Sequence, residues 1–111
     1  MKVSQIIKEL NLIVFSGNGG LEKEVSGGYV SDLLSDVMGN ASENEIWITL
    51  QTHKNVMAVA SLKDLAAVIL VKGLRPDKDT LDESNNEDLP ILGTSLTAFE
   101  ISGKLYNLIN K

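Results

Sequence analysis

Residues 65–71 form an unbroken apolar run, LAAVILV, and this run constrains the fold of the chain more than any other segment. A strand with one face in water alternates apolar and polar residues, whereas a continuous run is typical of a strand buried on both faces of a parallel sheet. Such a sheet needs helices on both faces to cover it. The run therefore predicts an α/β architecture.

Strand-like and helix-like segments alternate along the rest of the chain. Short runs rich in apolar and β-branched residues predict further strands at 12–16, 46–50 and 89–94. Apolar residues at helical spacing predict helices at 3–11, 31–41, 55–62 and 95–110, and a polar helix is expected at 77–87. This alternation is typical of a three-layer domain with a mostly parallel central sheet flanked by helices. A length of 111 residues corresponds to one such domain, residues 1–111.

Several local details of these elements are also predicted. Ser31 or Asp32 is expected to cap the helix at 31–41, and Thr97 with Glu100 has the spacing of a capping box. Pro76 is expected in the first turn of the polar helix. The helix at 31–41 is expected to turn inward Leu33, Leu34, Val37 and Met38. The helix at 55–62 is expected to bury Val56, Val59, Ala60 and Leu62.

Composition narrows the classes of function. The formal net charge is −5 and the ten basic residues are scattered, which argues against nucleic acid and against an anionic membrane surface as partners. The absence of cysteine excludes disulfides and thiolate metal sites. No apolar run approaches the ~20 residues of a membrane span, and the first residues lack the apolar core of a signal peptide. We therefore expect a cytoplasmic protein.

Polar and glycine residues follow the predicted strands, where α/β proteins bind ligands. Ligands of open α/β sheets lie at the carboxyl ends of the strands, close to the positive amino termini of the following helices. The polar cluster QTHKN (51–55), which holds the only histidine, occupies such a position. We therefore expect one crevice that binds a small anionic or nucleotide-like ligand. Its candidate residues are Gly27, Gly28, Thr52, His53, Asn55, Gly73, Arg75, Thr94 and Ser95.

A structural interpretation explains the same residues without a ligand. Thr52 and Asn55 are suited to capping and turns, and Thr94 and Ser95 are suited to capping. Gly27 and Gly28 are equally consistent with a turn or bulge, and the Arg75 side chain could pair with a surface carboxylate. Both interpretations remain open at the level of sequence.

No catalytic, cofactor or metal site is legible. A single histidine among scattered acids gives no nucleophile–base pair, although His53 as a general base in the same crevice is the alternative. The glycine-rich stretch SGNGGLEKE (16–24) lacks the Gly-x-x-x-x-Gly-Lys-Ser/Thr pattern of a phosphate-binding loop, because it has no lysine at the required position. The acidic stretch 77–88 lacks the central glycine of a calcium loop. We expect neither a cofactor nor a metal.

Several stretches together resemble the DRTGG domain family. They are GGYVSDLLSDVMGNA (27–41), IWITLQTHKNVMAVASLKDLAAVILVKGLRP (46–76), LPIL (89–92) and TAFEISGKLYNL (97–108). The namesake motif is altered: LVKG (70–73) stands where the family typically has Leu-Thr-Gly-Gly. The resemblance implies an α/β domain like the amino-terminal domain of the HPr kinase. Family members lie beside nucleotide-sensing CBS domains and in some phosphotransacetylases, as regulatory or dimer-forming modules.

These observations together predict a non-catalytic regulatory or interaction module. We expect it to form a homodimer and to bind a small anionic ligand or a partner protein. The apolar content of 43% is generous for this length, and large exposed apolar patches usually mark interfaces. The expected interface lies beside residues 27–34, where Tyr29 and Val30 follow two glycines.

Overall fold

The apolar run 65–71 lies at the centre of the sheet in the computed structural model, which describes residues 1–111. Every residue of the run is at most 1% exposed, so both faces of its strand are covered, as the run predicts. The strands are β1 (Ile13–Ser16), β2 (Gly27–Val30), β3 (Glu45–Thr49), β4 (Ala67–Leu70) and β5 (Ile91–Gly93). The helices are α1 (Val3–Leu10), α2 (Leu34–Asn40), α3 (Asn55–Leu62), α4 (Lys78–Glu87) and α5 (Ala98–Ile109), with a 3₁₀ turn at Asn18–Gly20.

The five strands form one mostly parallel sheet in the order β1-β5-β4-β3-β2. Strands β2 to β5 are parallel to their neighbours, and β1 pairs with β5 in the antiparallel direction. Strands β3 and β4 are parallel neighbours at the middle of the sheet, with Ile46 opposite Ala67 and Thr49 opposite Leu70. The predicted α/β class with a mostly parallel sheet is therefore confirmed.

Two separate apolar cores lie on the two faces of the sheet. One face packs against α1 and α5 through residues such as Ile6, Ile101 and Leu105. The other packs against α2 and α3 through Val37 and Met57, and α4 lies beside α3 on this face. The chain therefore has the three layers that a doubly buried strand requires.

The start of α2 differs from the expectation. The helix begins at Leu34 with Leu33 in the N-cap position and no side-chain cap. Asp32 does not cap it, because its carboxylate accepts from Thr49 Oγ1 and the Leu50 N–H, both at 2.9 Å. Ser31 Oγ accepts only from the Leu33 N–H. This late start leaves Leu33 63% exposed, and Met38 is also exposed, contrary to the predicted inward positions.

Three other predictions about single elements are wrong. Leu62, expected in the core, is 72% exposed at the end of α3. Pro76 precedes the N-cap residue Asp77 and lies outside α4. Gly27 and Gly28 belong to β2, a strand at the border of the sheet, and not to a turn. Another residue does approach closely, since a Cβ on Gly28 would lie 3.2 Å from Leu105 Cδ2.

The capping box at the start of α5 is confirmed. The Glu100 N–H donates to Thr97 Oγ1 at 3.2 Å, and the Thr97 N–H donates to Glu100 Oε1 at 3.1 Å. Two residues of one helix turn therefore define where the last helix begins.

The orientation of α3 can be tested with one buried and one exposed residue of the same helix. Met57 is buried and Leu62 is exposed. Met57→Ala should lower the free energy of unfolding by about 2–5 kcal/mol, because it leaves a cavity. Leu62→Ala should change it by less than about 0.5 kcal/mol. Urea unfolding followed by the fluorescence of Trp47, the only tryptophan, measures both; equal losses would contradict this orientation.

Candidate functional site

Three loops meet at the carboxyl edge of the parallel strands. The loop after β4 joins the loop after β5 through the Gly73 N–H, which donates to Thr94 O at 2.9 Å. It joins the loop after β3 through the Asp77 N–H, which donates to Thr52 O at 3.1 Å. Four of the predicted residues therefore lie on one edge in connected loops: Thr52, His53, Gly73 and Thr94.

Thr52 links the loop after β3 to α4 through its carbonyl. That oxygen accepts from the Asp77 N–H and from Thr80 Oγ1, the latter at 2.8 Å. Thr52 does not cap α3, whose N-cap residue is Lys54. The capping interpretation of Thr52 is therefore wrong, and its backbone holds two of the loops together.

His53 lies at the surface of this edge and pairs with Asp77. The distance from Nδ1 to Asp77 Oδ2 is 3.1 Å, and the histidine side chain is 70% exposed. The ring makes no other hydrogen bond within the chain, so no hydroxyl is bonded to it as the nucleophile of a catalytic pair would be. A histidine paired with a carboxylate can accept a proton, but nothing here shields it from water or aligns a second reacting group.

Arg75 lies on the ring of Phe15 and not on a carboxylate. The guanidinium carbon is 5.1 Å from the ring centroid, and no acidic oxygen lies within 4.0 Å of Arg75. The ring can approach β5 because residue 93 is glycine; a Cβ there would collide with Phe15. The guanidinium is therefore held on an aromatic surface with its charge available to an anion.

Asn55 and Ser95 border two different depressions. Asn55 is the first residue of α3 and lies in an open groove of about 540 Å³ between α3 and α4, beside Lys54, Glu83 and Glu87. Ser95 and Thr94 border a depression of about 520 Å³ beside the loop between α1 and β1. Thr94 Oγ1 also accepts from the Leu96 N–H, which is a local turn contact. The carboxyl edge thus offers separate grooves.

Gly27 and Gly28 lie at the amino ends of the parallel strands, opposite to the carboxyl edge. They begin β2, and their partners Glu45 and Ile46 begin β3. Because these strands are parallel, the two glycines are at the amino end while the other candidates follow the carboxyl ends. The prediction of one crevice containing all of the candidates is therefore wrong for these two residues, which line a slot against α5.

Two residues of the carboxyl edge were missed by sequence reasoning. Asp32 ties the end of β2 to the end of β3 through its bonds to Thr49 and Leu50, and it had been assigned to a helix cap. Phe15 was considered only as part of a strand. The signal for Phe15 was the glycine at the end of the strand LPILG, since glycine in a strand often marks close approach by another group.

Two carboxyl groups that lie outside the grooves have pKa values shifted by hydrogen bonds. The Thr97 backbone N–H lowers the pKa of Glu100 below its usual value, with help from the Thr97 hydroxyl. Ser31, Tyr29 and Asn40 lower the pKa of Asp36, and the same Asp36 contact raises that of Tyr29.

No group of three or more potential metal ligands is present, and none of the five helices has the length and apolar character of a membrane span.

Comparison with solved structures identifies a similar fold. The chain matches a structure described as the CBS and DRTGG domains of the regulatory region of Clostridium perfringens pyrophosphatase, in complex with the activator diadenosine tetraphosphate. The TM-score is 0.69 and the sequence identity is 15%, over 94% of this chain and 45% of that one. The chain has a DRTGG-like fold.

The likeness confirms the predicted resemblance at the level of the fold. This chain spans less than half of the matched chain. No family sequence model matches the sequence, and a search of curated proteins gives no match either. The site residues must therefore be argued from their own geometry.

The shifted pKa of Glu100 predicts how stability depends on acid. A lowered folded-state pKa adds stability above the ordinary value of 4.5, and this stability is lost as the pH falls through the folded value. Glu100→Gln should therefore lose less stability than the unchanged protein between neutral and strongly acidic pH. Urea unfolding at a series of pH values measures the two curves, and parallel curves would contradict the shift.

Proposed function

We propose that this chain is a non-catalytic regulatory module that binds a small anionic, nucleotide-like ligand at the carboxyl edge of its sheet and acts as a homodimer. The observation that carries the proposal is the likeness, over 94% of the chain, to a regulatory region. That neighbour is described with a nucleotide activator. The lack of a nucleophile beside His53 supports a role in binding over a role in catalysis.

The ligand half of the proposal rests on the cations of the carboxyl edge. Arg75 is presented on Phe15 without a carboxylate partner, and Lys72 is exposed in the turn before it. Helix α4 begins directly after this loop with no side-chain cap, so its first N–H groups are open to an anion. Arginine can bind a phosphate group through two parallel hydrogen bonds, which suits a phosphorylated ligand.

The alternative function is an enzyme in which His53 is the general base. The observation that favours it is the His53–Asp77 pair at 3.1 Å, because a carboxylate orients a catalytic imidazole in many enzymes. The exposure of the ring and the missing second reacting group favour the regulatory function.

The dimer half of the proposal rests on exposed apolar side chains. Ten large apolar residues are exposed, among them Val30 of β2 and Phe99 and Tyr106 of α5. Scattered exposed residues are normal in monomers, whereas a grouped set marks an interaction surface. A module without a catalytic set acts through its surfaces, and a symmetric dimer is the commonest assembly of identical chains.

The ligand proposal predicts a salt-sensitive stabilisation that depends on Arg75. ATP, diadenosine tetraphosphate and inorganic phosphate are the probes in a thermal unfolding series. At least one should raise the midpoint temperature, because a ligand that binds only the folded state stabilises it. Added salt and Arg75→Ala should both reduce the shift, since each weakens attraction to phosphate.

Lys63→Ala is the control for Arg75→Ala. It also removes one positive charge, but Lys63 follows the end of α3 and lies at the opposite edge of the sheet. The shift should survive this substitution. If no probe raises the midpoint, or if both variants reduce the shift equally, the ligand half of the proposal is wrong.

The dimer proposal predicts a mass of twice 12.0 kDa in solution. Sedimentation equilibrium between low and high micromolar concentrations measures it directly. The average mass should rise with concentration toward the dimer value by mass action. A mass that stays at 12.0 kDa across the series would refute the dimer.

A further inference from the structure

The outer side of β2 is an uncovered sheet edge. No strand pairs with it; only the segment before it is covered, where Lys2 bridges to Glu24. Natural edge strands are commonly protected by lysine, proline or a bulge. The sequence of β2 is Gly-Gly-Tyr-Val, without lysine or proline, and its pairing with β3 is regular. The edge is therefore open to pairing with another strand.

Two aromatic residues are exposed on α5, the helix that packs on β2. Phe99 is 89% exposed and Tyr106 is 69% exposed. They are seven residues apart and so share one helix face. Helix α5 lies directly over β2, since a Cβ on Gly28 would be 3.2 Å from Leu105 Cδ2. The two rings expose on the order of 300 Å² of apolar surface.

A slot of about 150 Å³ lies between β2 and α5. Gly28 leaves it open because it has no side chain, and Ile48, Tyr106 and Ile109 line it. The hydroxyl of Ser102, also in its wall, is enclosed and has no hydrogen-bond partner within the chain. The side chain of Val30, two residues along the strand, is 51% exposed at the border of the slot. Strand β2 thus has the exposed side chain of Val30 two residues from the slot at Gly28.

We propose that a second copy of this chain docks on this β2–α5 face, defined by Gly28, Val30, Phe99 and Tyr106. The two β2 strands pair antiparallel and join the two sheets into one of ten strands. This inference rests on the homodimer proposed above and adds where and how the two copies meet.

The geometry of antiparallel pairing makes the face complementary to itself. Residues directly opposite each other in an antiparallel pair have side chains on the same face of the sheet. When Tyr29 lies opposite its own counterpart, Val30 of each copy lies opposite Gly28 of the other. Each valine then enters the slot of the other copy, and the two-fold axis repeats the contact, as a symmetric interface requires.

The exposed aromatic side chains supply part of the area that a dimer of this kind needs. Each partner of a stable interface contributes roughly 800 Å², and the two aromatic rings supply on the order of 300 Å² of that. Val30 and the strand edge extend the same surface. The Tyr29 backbone lies at the two-fold axis, but its side chain is on the other face of the sheet, where its hydroxyl donates to Asp36 on the α2 side. The apolar contact expected from sequence at Tyr29 and Val30 is therefore kept at Val30 alone on the α5 face.

Matched charge substitutions test the face. Tyr106→Glu and Val30→Lys place a charge in the interface, whereas Leu62→Glu places one at an exposed apolar residue of α3 on the other face of the sheet. Each interface substitution occurs twice in the symmetric dimer and should raise the dissociation constant at least about tenfold. Leu62→Glu should leave it unchanged. Far-UV circular dichroism checks that all three variants remain folded.

Cross-linking tests the position of the contact independently of stability. The chain has no cysteine, so Val30→Cys and Leu62→Cys each introduce a single thiol. The two copies of residue 30 lie diagonally across the paired strands at roughly 7–8 Å. A short bismaleimide should therefore join two chains of Val30→Cys at micromolar concentration and should not join two chains of Leu62→Cys.

The outcomes separate this inference from the proposed dimer itself. If the unchanged protein is a dimer but Tyr106→Glu and Val30→Lys leave it intact, and Val30→Cys does not cross-link, the docking face is wrong while the dimer stands. If the unchanged protein is a monomer at every concentration, both are wrong. A monomer stabilised by an added extended peptide would assign the open edge to a different partner and likewise overturn the second-copy proposal.

Discussion

The double burial of β4 is the constraint on which the rest of the structure depends. All of its side chains are apolar, so water must be kept from both faces of the strand. Helices α1 and α5 cover one face, and α2, α3 and α4 cover the other. Because covering helices connect the strands β2 to β5 in parallel, their carboxyl ends meet at one edge. The place of the candidate ligand site follows from this burial.

The turn after β4 shapes that edge. Lys72 and Gly73 both have positive φ angles, 60° and 73°, which lysine adopts at some conformational cost and glycine does not. This turn directs their N–H groups to Leu96 O and Thr94 O, so the backbone there is already satisfied. These N–H groups are therefore not available to an anion. In the proposed site only side chains such as Arg75 and the first N–H groups of α4 can bind it.

Strand β2 lies at the border of the sheet, and its two glycines have no side chains where α5 approaches. Because α5 packs closely on Gly28, the slot and the unpaired edge of β2 lie next to each other. Asp32 joins the end of β2 to the end of β3, and the loop after β3 continues to Thr52 and His53. The two hydrogen bonds of Asp32 and a short length of chain therefore lie between the proposed docking face and the proposed ligand edge.

The sequence by itself determined most elements of this protein and the burial of its central strand, but it did not indicate strand β2 and it placed Leu33, Met38 and Leu62 inside. The run 65–71, the alternation of segments, the limits of α3 and the Thr97–Glu100 box could all be read directly, because periodicity and capping involve residues within a few positions of each other. Tertiary structure alone decided that Asp32 joins two strands, that Arg75 rests on Phe15 and that Leu62 faces water. It also placed Gly27 and Gly28 at the amino edge, away from the other candidates. These outcomes depend on which residues, distant along the chain, become neighbours when the strands pair, and local patterns carry no record of that pairing.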